Sequence, residues 1–410
     1  MNRWFRLSAA VIAMIMIANL QYAWTFFVEP LQAAHKSWKL DDIQWAFTLF
    51  IAFETWIMPC SGWLIDRLGP RTFMTAAGLL CGAGWAAMGH ADKLTELYLF
   101  YSIAGFGAAL VYCGSMGIAL KWFADKRGLA AGLIAAGFGS GAALFTALIA
   151  HLIHVHGYRD TFLYTGVVQG LLIMVAAQFL ENPPRIVLPA TLTRVQIKPH
   201  GADYNSWEML RTPHFWMLFA MALMMGIGGL MITAQVKPMA KTLNIAAATV
   251  QLSVTLNLIA NGSGRLFWGW VSDHVGRERT MGVAFLLQSI FLLGVVTVAR
   301  GSATLFVICC ALVFFTWGEI YSLMPSAIGD YFGSRNASSN YGFIYAAKGV
   351  ASILAGGLAA QLFRKTGTWD YGFYVCAALA LIAALLTLVL RNMPRPQKHR
   401  AAPSPALAGG

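Results

Sequence analysis

Apolar stretches long enough to cross a bilayer recur along this chain from one end to the other, and that repetition limits what it can become. A run of about 20 apolar residues spans the hydrocarbon core. Such runs fall near 7–30, 42–65, 72–90, 95–120, 127–153 and 160–181, then near 212–239, 246–271, 279–299, 303–329, 337–363 and 369–391. Charged residues make up 11% of the chain and hydrophobic ones 58%, whereas a soluble protein carries roughly a quarter charged. The pattern predicts an all-α membrane protein with twelve transmembrane helices. No small-residue cleavage site follows the first run, so it reads as a retained helix rather than a signal peptide. The six cysteines sit in apolar runs without metal-ligand spacing and read as packing residues.

The chain divides into an N-terminal six-helix bundle, 1–181, a cytoplasmic linker, 182–210, a C-terminal six-helix bundle, 211–391, and a disordered cytoplasmic tail, 392–410. The linker carries Pro183, Pro184, Arg185, Arg194 and Lys198 with no clear periodicity. The net charge of +12 is spread over loops, which points to membrane topology rather than nucleic acid. With both termini inside, Lys and Arg are about twice as frequent on inner segments as on outer ones. The expected location is the inner membrane of the cell.

The halves also repeat each other. Gly62-Trp63-Leu64-Ile65-Asp66-Arg67-Leu68-Gly69 follows the second helix, and Gly269-Trp270-Val271-Ser272-Asp273-His274-Val275-Gly276 follows the eighth, half a chain later. Duplicated six-helix units joined by one linker are the build of transporters that rock two halves about a midplane site. The first copy, Gly62, Asp66, Arg67, Gly69 and Arg71, resembles the loop motif of the major facilitator superfamily. Its glycines allow close packing and a tight turn, and its Asp can hold one access state shut. The second copy keeps Asp273, Gly276 and Arg277 but has His274 where a cation is usual, so its latch is expected to be weaker.

Two cations interrupt the apolar pattern. Arg265 lies eight residues before Asp273, roughly 12 Å along a helix. Lys348 lies roughly 16 Å beyond the start of the eleventh run, and half the hydrocarbon thickness is about 15 Å. A cation at that depth costs about 2.5–3.5 kcal/mol, so a visiting anion is the expected reason for the pair. Ser253, Asn257, Asn261 and Arg265 form one polar stripe, and Tyr341, Tyr345, Lys348 and Ser352 share another face. Gln21, Tyr22, Thr25, Tyr112, Trp317 and Tyr321 add polar and aromatic groups. The plain alternative is a structural ion pair with Glu54 or Glu319. Glu319 stands about 200° around its helix from Trp317 and Tyr321, so it faces away from any cavity those rings line. Glu54 and Glu319 read either as protonatable coupling groups or as hydrogen-bonders between helices.

Several stretches together resemble the oxalate/formate antiporter family, from about Arg3 to Arg391. They are Gln21-Tyr22-Ala23-Trp24-Thr25, Trp122-Phe123-Ala124-Asp125-Lys126-Arg127-Gly128-Leu129-Ala130 and Asn261-Gly262-Ser263-Gly264-Arg265-Leu266-Phe267-Trp268-Gly269. Phe314-Phe315-Thr316-Trp317-Gly318 and Asn340-Tyr341-Gly342-Phe343-Ile344-Tyr345-Ala346-Ala347-Lys348 complete the set. The resemblance implies that Arg265 and Lys348 bind the two carboxylates of oxalate, with Gln21, Tyr22, Tyr112, Trp317 and Tyr321 in an aromatic cage. Phe138 stands where that family has Tyr, and Tyr345 where it has Trp.

The expected function is secondary exchange of small carboxylates, oxalate entering for formate leaving. Two unpaired cations would make the empty site hard to close, a dianion would neutralise both, and the exchange would move net charge. The rival is a proton-coupled monocarboxylate symporter for lactate- or pyruvate-like substrates. It gains weight if Glu54 or Glu319 cancels one cation. A non-transporting membrane sensor would need an output domain for which neither linker nor tail leaves room. An enzyme is not expected, since there is no Walker loop, metal cluster or nucleophile–base set. No cofactor or metal is expected, the partners are small carboxylate anions and the lipid bilayer, and the chain is expected to work as a monomer.

Overall fold

The computed structural model describes residues 2–183 and 203–396, so most of the linker and the end of the tail lie outside the described residues. Helices make up nearly all of it, with no strand among the described residues. The first half holds α1 (Arg3–Tyr22), α2 (Trp24–Ala34), α3 (Leu40–Trp56), α4 (Met58–Leu68), α5 (Pro70–Ala87), α6 (Leu94–Trp122), α7 (Arg127–Gly141) and α8 (Ala143–Ala177). A one-turn helix, α9 (Ser206–Leu210), precedes α10 (Pro213–Thr242), α11 (Ala247–Val275), α12 (Arg277–Val296), α13 (Ala303–Trp317), α14 (Ile320–Phe332), α15 (Ala337–Thr366) and α16 (Asp370–Asn392).

Among the described residues nine helices are long and apolar enough to cross a membrane, or ten when the pair bent by 46° after Trp56 counts as one span. The long helices α11 and α15 are not among them. These two carry Arg265 and Lys348, and with them the chain makes twelve passes. Polar residues needed at the centre lower the very apolarity that marks a span.

Four passes expected to be unbroken are interrupted, the fifth pass among them at Ala142, between α7 and α8. The first breaks at Ala23 and the second at Ile57, just ahead of Pro59, whose ring and missing N–H favour the start of a helix over its interior. The tenth breaks at Gly318 and Glu319, where a Cβ on Gly318 would stand 2.5 Å from the Asn261 carbonyl. Gly157, at φ 79°, separates the fifth pass from the sixth inside α8. The segment expected to be an irregular linker contains α9, because Asn205 and Glu208 cap each other's amides reciprocally.

The repeated loops lie at one end of the bundle, and that end is closed. Gly69 and Gly276, both in the left-handed region, make the two turns. A Cβ on Gly128 would lie 2.1 Å from the Gly269 carbonyl, and one on Gly62 would lie 2.2 Å from the Ser339 Cα. Backbones therefore touch where α7 meets α11 and where α4 meets α15. Asp273, on α11, accepts from the amides of Gly128 (2.9 Å) and Leu129 (2.8 Å) and so caps α7 across the interface. Arg277 pairs with Asp273 (2.7 Å) and Asp330 (2.8 Å), and Arg127 also pairs with Asp330 (2.6 Å).

The second loop copy is thus firmly engaged, contrary to the expectation drawn from His274, which is exposed and turned back to the Trp270 carbonyl. Arg277 and the free amides of α7 supply what His274 does not. In the first copy, Arg67 lies over the Trp63 ring at 4.0 Å and Arg71 pairs with Glu181. The side chain of Asp66 lies outside the described residues. Arg6 also bonds Glu181, and the two guanidiniums, Arg6 foremost by its hydrogen bond, hold that carboxyl below the usual range.

This closure yields a prediction. Gly269→Val would drive side-chain atoms into the Gly128 backbone, an overpacking cost of about 1–3 kcal/mol, or roughly a five- to hundredfold shift away from the closed end. A thiol introduced by Ser339→Cys should then react faster with a water-soluble maleimide added at that end. Unchanged labelling would contradict the closure described here.

Candidate functional site

Near mid-bundle the helices line a cavity of about 340 Å³, bounded among others by Gln21, Tyr22, Phe138, Asn257, Asn261, Arg265, Trp317, Tyr321 and Lys348. Seven of the nine residues expected at the site reach it. The other two stand just behind it. Tyr345 borders a small adjoining pocket with Tyr321 and Lys348, and Tyr112 packs on Phe138 (5.5 Å) and Tyr345 (4.7 Å).

Arg265 is 1% exposed. Its Nε donates to Asn261 Oδ1 (3.0 Å) and its Nη1 to the Ala135 carbonyl (2.8 Å), and its guanidinium lies 4.2 Å from the Tyr321 ring centroid. The acceptors are neutral, and no carboxylate pairs with it among the described residues. Glycine makes this reach possible: a Cβ on Gly139 would stand 2.9 Å from Arg265 Nε.

Lys348 is 7% exposed and is not alone. Its Nζ lies 3.2 Å from both oxygens of Glu54, which is 0% exposed, and it donates to Gln21 Oε1 (3.3 Å) and the Tyr345 hydroxyl (3.0 Å). The Tyr345 hydroxyl also donates to Glu54 (3.2 Å). The expectation of two unpaired cations is therefore corrected. Glu54, which stands behind the lining, pairs with Lys348, so that lining and pair together carry one net positive charge. The phenol at 345, one of the two departures from the family pattern, is the group that touches both members of the pair.

Glu319 lies outside the cavity lining, fully buried, and neither of its carboxyl oxygens has a hydrogen-bond partner among the described residues. Among the described residues its carboxyl pairs with neither cation. Of the lining residues, Trp317 and Asn257 also bury side-chain polar atoms, Nε1 and the amide, that have no hydrogen-bond partner among the described residues. The stripe marked Asn257 and Asn261 as one face of α11. The apolar wall from Leu230, Thr233, Val236, Val254 and Phe314 went unread, since such residues look the same facing lipid or a cavity. One trace was available in Gly229: a Cβ there would stand 2.0 Å from the Trp317 ring.

The geometry defines a multi-pass membrane protein with a cationic, aromatic-walled cavity between its two sequence repeats. The family model for the Major Facilitator Superfamily matches residues 8–236 and again 217–408. The chain is 39% identical over 405 residues to an oxalate:formate antiporter of Oxalobacter formigenes, covering 98% of this chain and 95% of that one. It is 23% identical to mouse monocarboxylate transporter 14, over 94% of this chain and 89% of the other. It is 24% identical to apicoplast pyruvate carrier 1 of Toxoplasma gondii, over 88% and 77%. Among solved structures, the proton:xylose symporter XylE superposes with a TM-score of 0.70 at 16% identity, over 96% of each chain, a likeness that speaks to the fold. The chain belongs to the major facilitator superfamily, and within it to the oxalate/formate antiporter family.

A buried carboxyl without partners carries a cost that a hydrocarbon side chain would not. Glu319→Met should therefore raise the thermal midpoint of the purified protein, by a stabilisation of about 1–3 kcal/mol. A lowered midpoint would show that Glu319 holds a partner.

Proposed function

We propose that this protein exchanges small carboxylates, taking up oxalate and releasing formate, across the inner membrane with both termini cytoplasmic. The six-helix halves, 1–181 and 211–391, rock about the central cavity, and the end closed by Asp273, Arg277 and Asp330 is the cytoplasmic one. The observation that carries the reading is Arg265, a buried guanidinium that lines the cavity with Lys348, lies against the Tyr321 ring and has no acid partner among the described residues. A planar fork suits one carboxylate and a lysine point charge the other. The antiporter relative of similar length supports the choice of substrates.

One observation favours a second reading. With Glu54 paired to Lys348, the cavity nets one positive charge, which suits a monocarboxylate, and the monocarboxylate and pyruvate relatives fit that case. Counterflow separates the two. Labelled oxalate should enter liposomes fastest when oxalate or formate is inside, and slowly when lactate or nothing is. Uptake driven by a proton gradient and indifferent to internal formate would establish the symporter instead.

Lys348→Gln should lower oxalate exchange by roughly 30-fold or more, since truncating one member of a buried charge pair costs about 2–5 kcal/mol. Arg265→Lys should lower it by about tenfold or more, because the charge survives and the fork does not. Normal exchange in folded, inserted Lys348→Gln protein would remove Lys348 from the site.

A further inference from the structure

A groove of about 490 Å³ lies on the outside of the bundle, away from the central cavity, between α12 and α16. Small residues make room for it. Gly282 and Ala384 line it, and a Cβ on Gly282 would stand 2.7 Å from Thr387 Oγ1, so the two helices nearly touch there. Val283 and Leu286 border it on one side and Leu381, Leu385 and Leu388 on the other, all of them exposed. From Arg391 at the closed end to Leu381 is ten residues, about 15 Å along a helix. Half the hydrocarbon thickness is also about 15 Å. The groove therefore runs the depth of one leaflet and faces the lipid.

Its mouth is cationic. Arg279, the third residue of α12, and Arg391, the last but one of α16, both line it. Both are exposed, and neither has an ion-pair or hydrogen-bond partner among the described residues. One carboxylate shares the mouth, that of Glu278, and it is engaged inward. It accepts from the Tyr331 hydroxyl on α14 (2.6 Å), and the Arg395 guanidinium lies 5.8 Å from the centroid of the same ring. A single arginine at a helix end is the ordinary anchor of a span. Two on adjacent helices, unpaired at the mouth of one apolar groove, fit an anion that carries a hydrocarbon chain.

Other occupants lack the matching charge. Segments 184–202 and 397–410 hold Arg185, Arg194, Lys198, Lys398 and Arg400 and no Asp or Glu. A second copy docked about a two-fold axis would bring its own Arg279 and Arg391 to the rim, like charge against like. We propose that the groove holds one anionic phospholipid of the leaflet at the closed end, its phosphate between Arg279 and Arg391 and one acyl chain along Val283, Leu286 and Leu385. Basic pockets between membrane helices bind acidic headgroups in this way. Both helices belong to the same sequence repeat, so the site lies within one half. Arg277, which joins Asp273 and Asp330, is two residues from Arg279, so the lipid sits directly behind the contacts that shut this end.

The test is native mass spectrometry of the full-length protein, titrated in detergent with phosphatidylglycerol or phosphatidylcholine of matched acyl chains. One phosphatidylglycerol should stay bound in preference to phosphatidylcholine, and excess inorganic phosphate should leave it in place. Its apparent affinity should fall by roughly tenfold or more in the Arg279→Gln/Arg391→Gln double variant. It should largely return in Arg279→Lys/Arg391→Lys, where the charge survives. It should be unchanged in Arg211→Gln/Arg335→Gln, which removes two exposed arginines at the same end but outside the groove. Equal retention of the two lipids by the wild-type protein would overturn the proposal, and it decides the matter even if a variant fails to fold. Equal losses in the two Gln pairs would overturn it as well. So would displacement of the lipid by inorganic phosphate, the mark of a soluble-anion site, or a dimer whose formation excludes the lipid, the mark of an interface between copies.

Discussion

The need to compensate buried cations organises this molecule. Arg265 can sit 1% exposed near mid-bundle only because the Ala135 carbonyl and Asn261 accept from it and Tyr321 covers it. Those contacts require α7 and α11 to run close together, which the glycines at 128, 132, 139 and 269 permit: a Cβ at any of them would come within 3 Å of the opposing helix. The Lys348–Glu54 pair makes the same demand on the second pass and α15. There Gly342 approaches the Met58 carbonyl, and Gly349 approaches Trp56 and Thr55. Small residues at helix contacts are how membrane helices come close without a hydrophobic drive between them.

The same two contacts close one end of the bundle. Asp273 caps α7 one turn beyond the glycine contact of α7 with α11, and Gly62 meets Ser339 one turn beyond that of α4 with α15. A change of charge at Arg265 or Lys348 therefore acts on the very helices whose far ends must part for the other access state. Substrate and gate are joined by rigid elements and not by a chain of intermediates, so a ligand that neutralises the cations favours whichever states keep these helices together.

Much of this was legible in the sequence, and the reasons for the remainder are physical. Apolar run length gives the passes. Arg265 and Lys348 stand out because a cation deep in such a run needs a cause. The angular offset of Glu319 from Trp317 and Tyr321 is a property of one helix, and the structure leaves Glu319 out of the cavity lining. Pairing between helices is different. Periodicity gives the face of a residue but not what that face meets, so Glu54 and Glu319 looked alike as mid-span acids, and the salt bridge to Glu54 emerged only with the fold. The helix breaks at Ala23 and Gly318 carry no proline signal, and the apolar cavity wall around Thr233 carries no polar one.

The central claim is that Arg265 and Lys348 together hold the substrate. The most direct measurement is a structure of the full-length protein in lipid nanodiscs with oxalate bound at mildly acidic pH. Oxalate should lie between the Arg265 guanidinium and Lys348 Nζ, each within ion-pair distance of one carboxylate, about 4 Å. Oxalate bound elsewhere, with Lys348 and Glu54 still paired as they are here, would contradict the account.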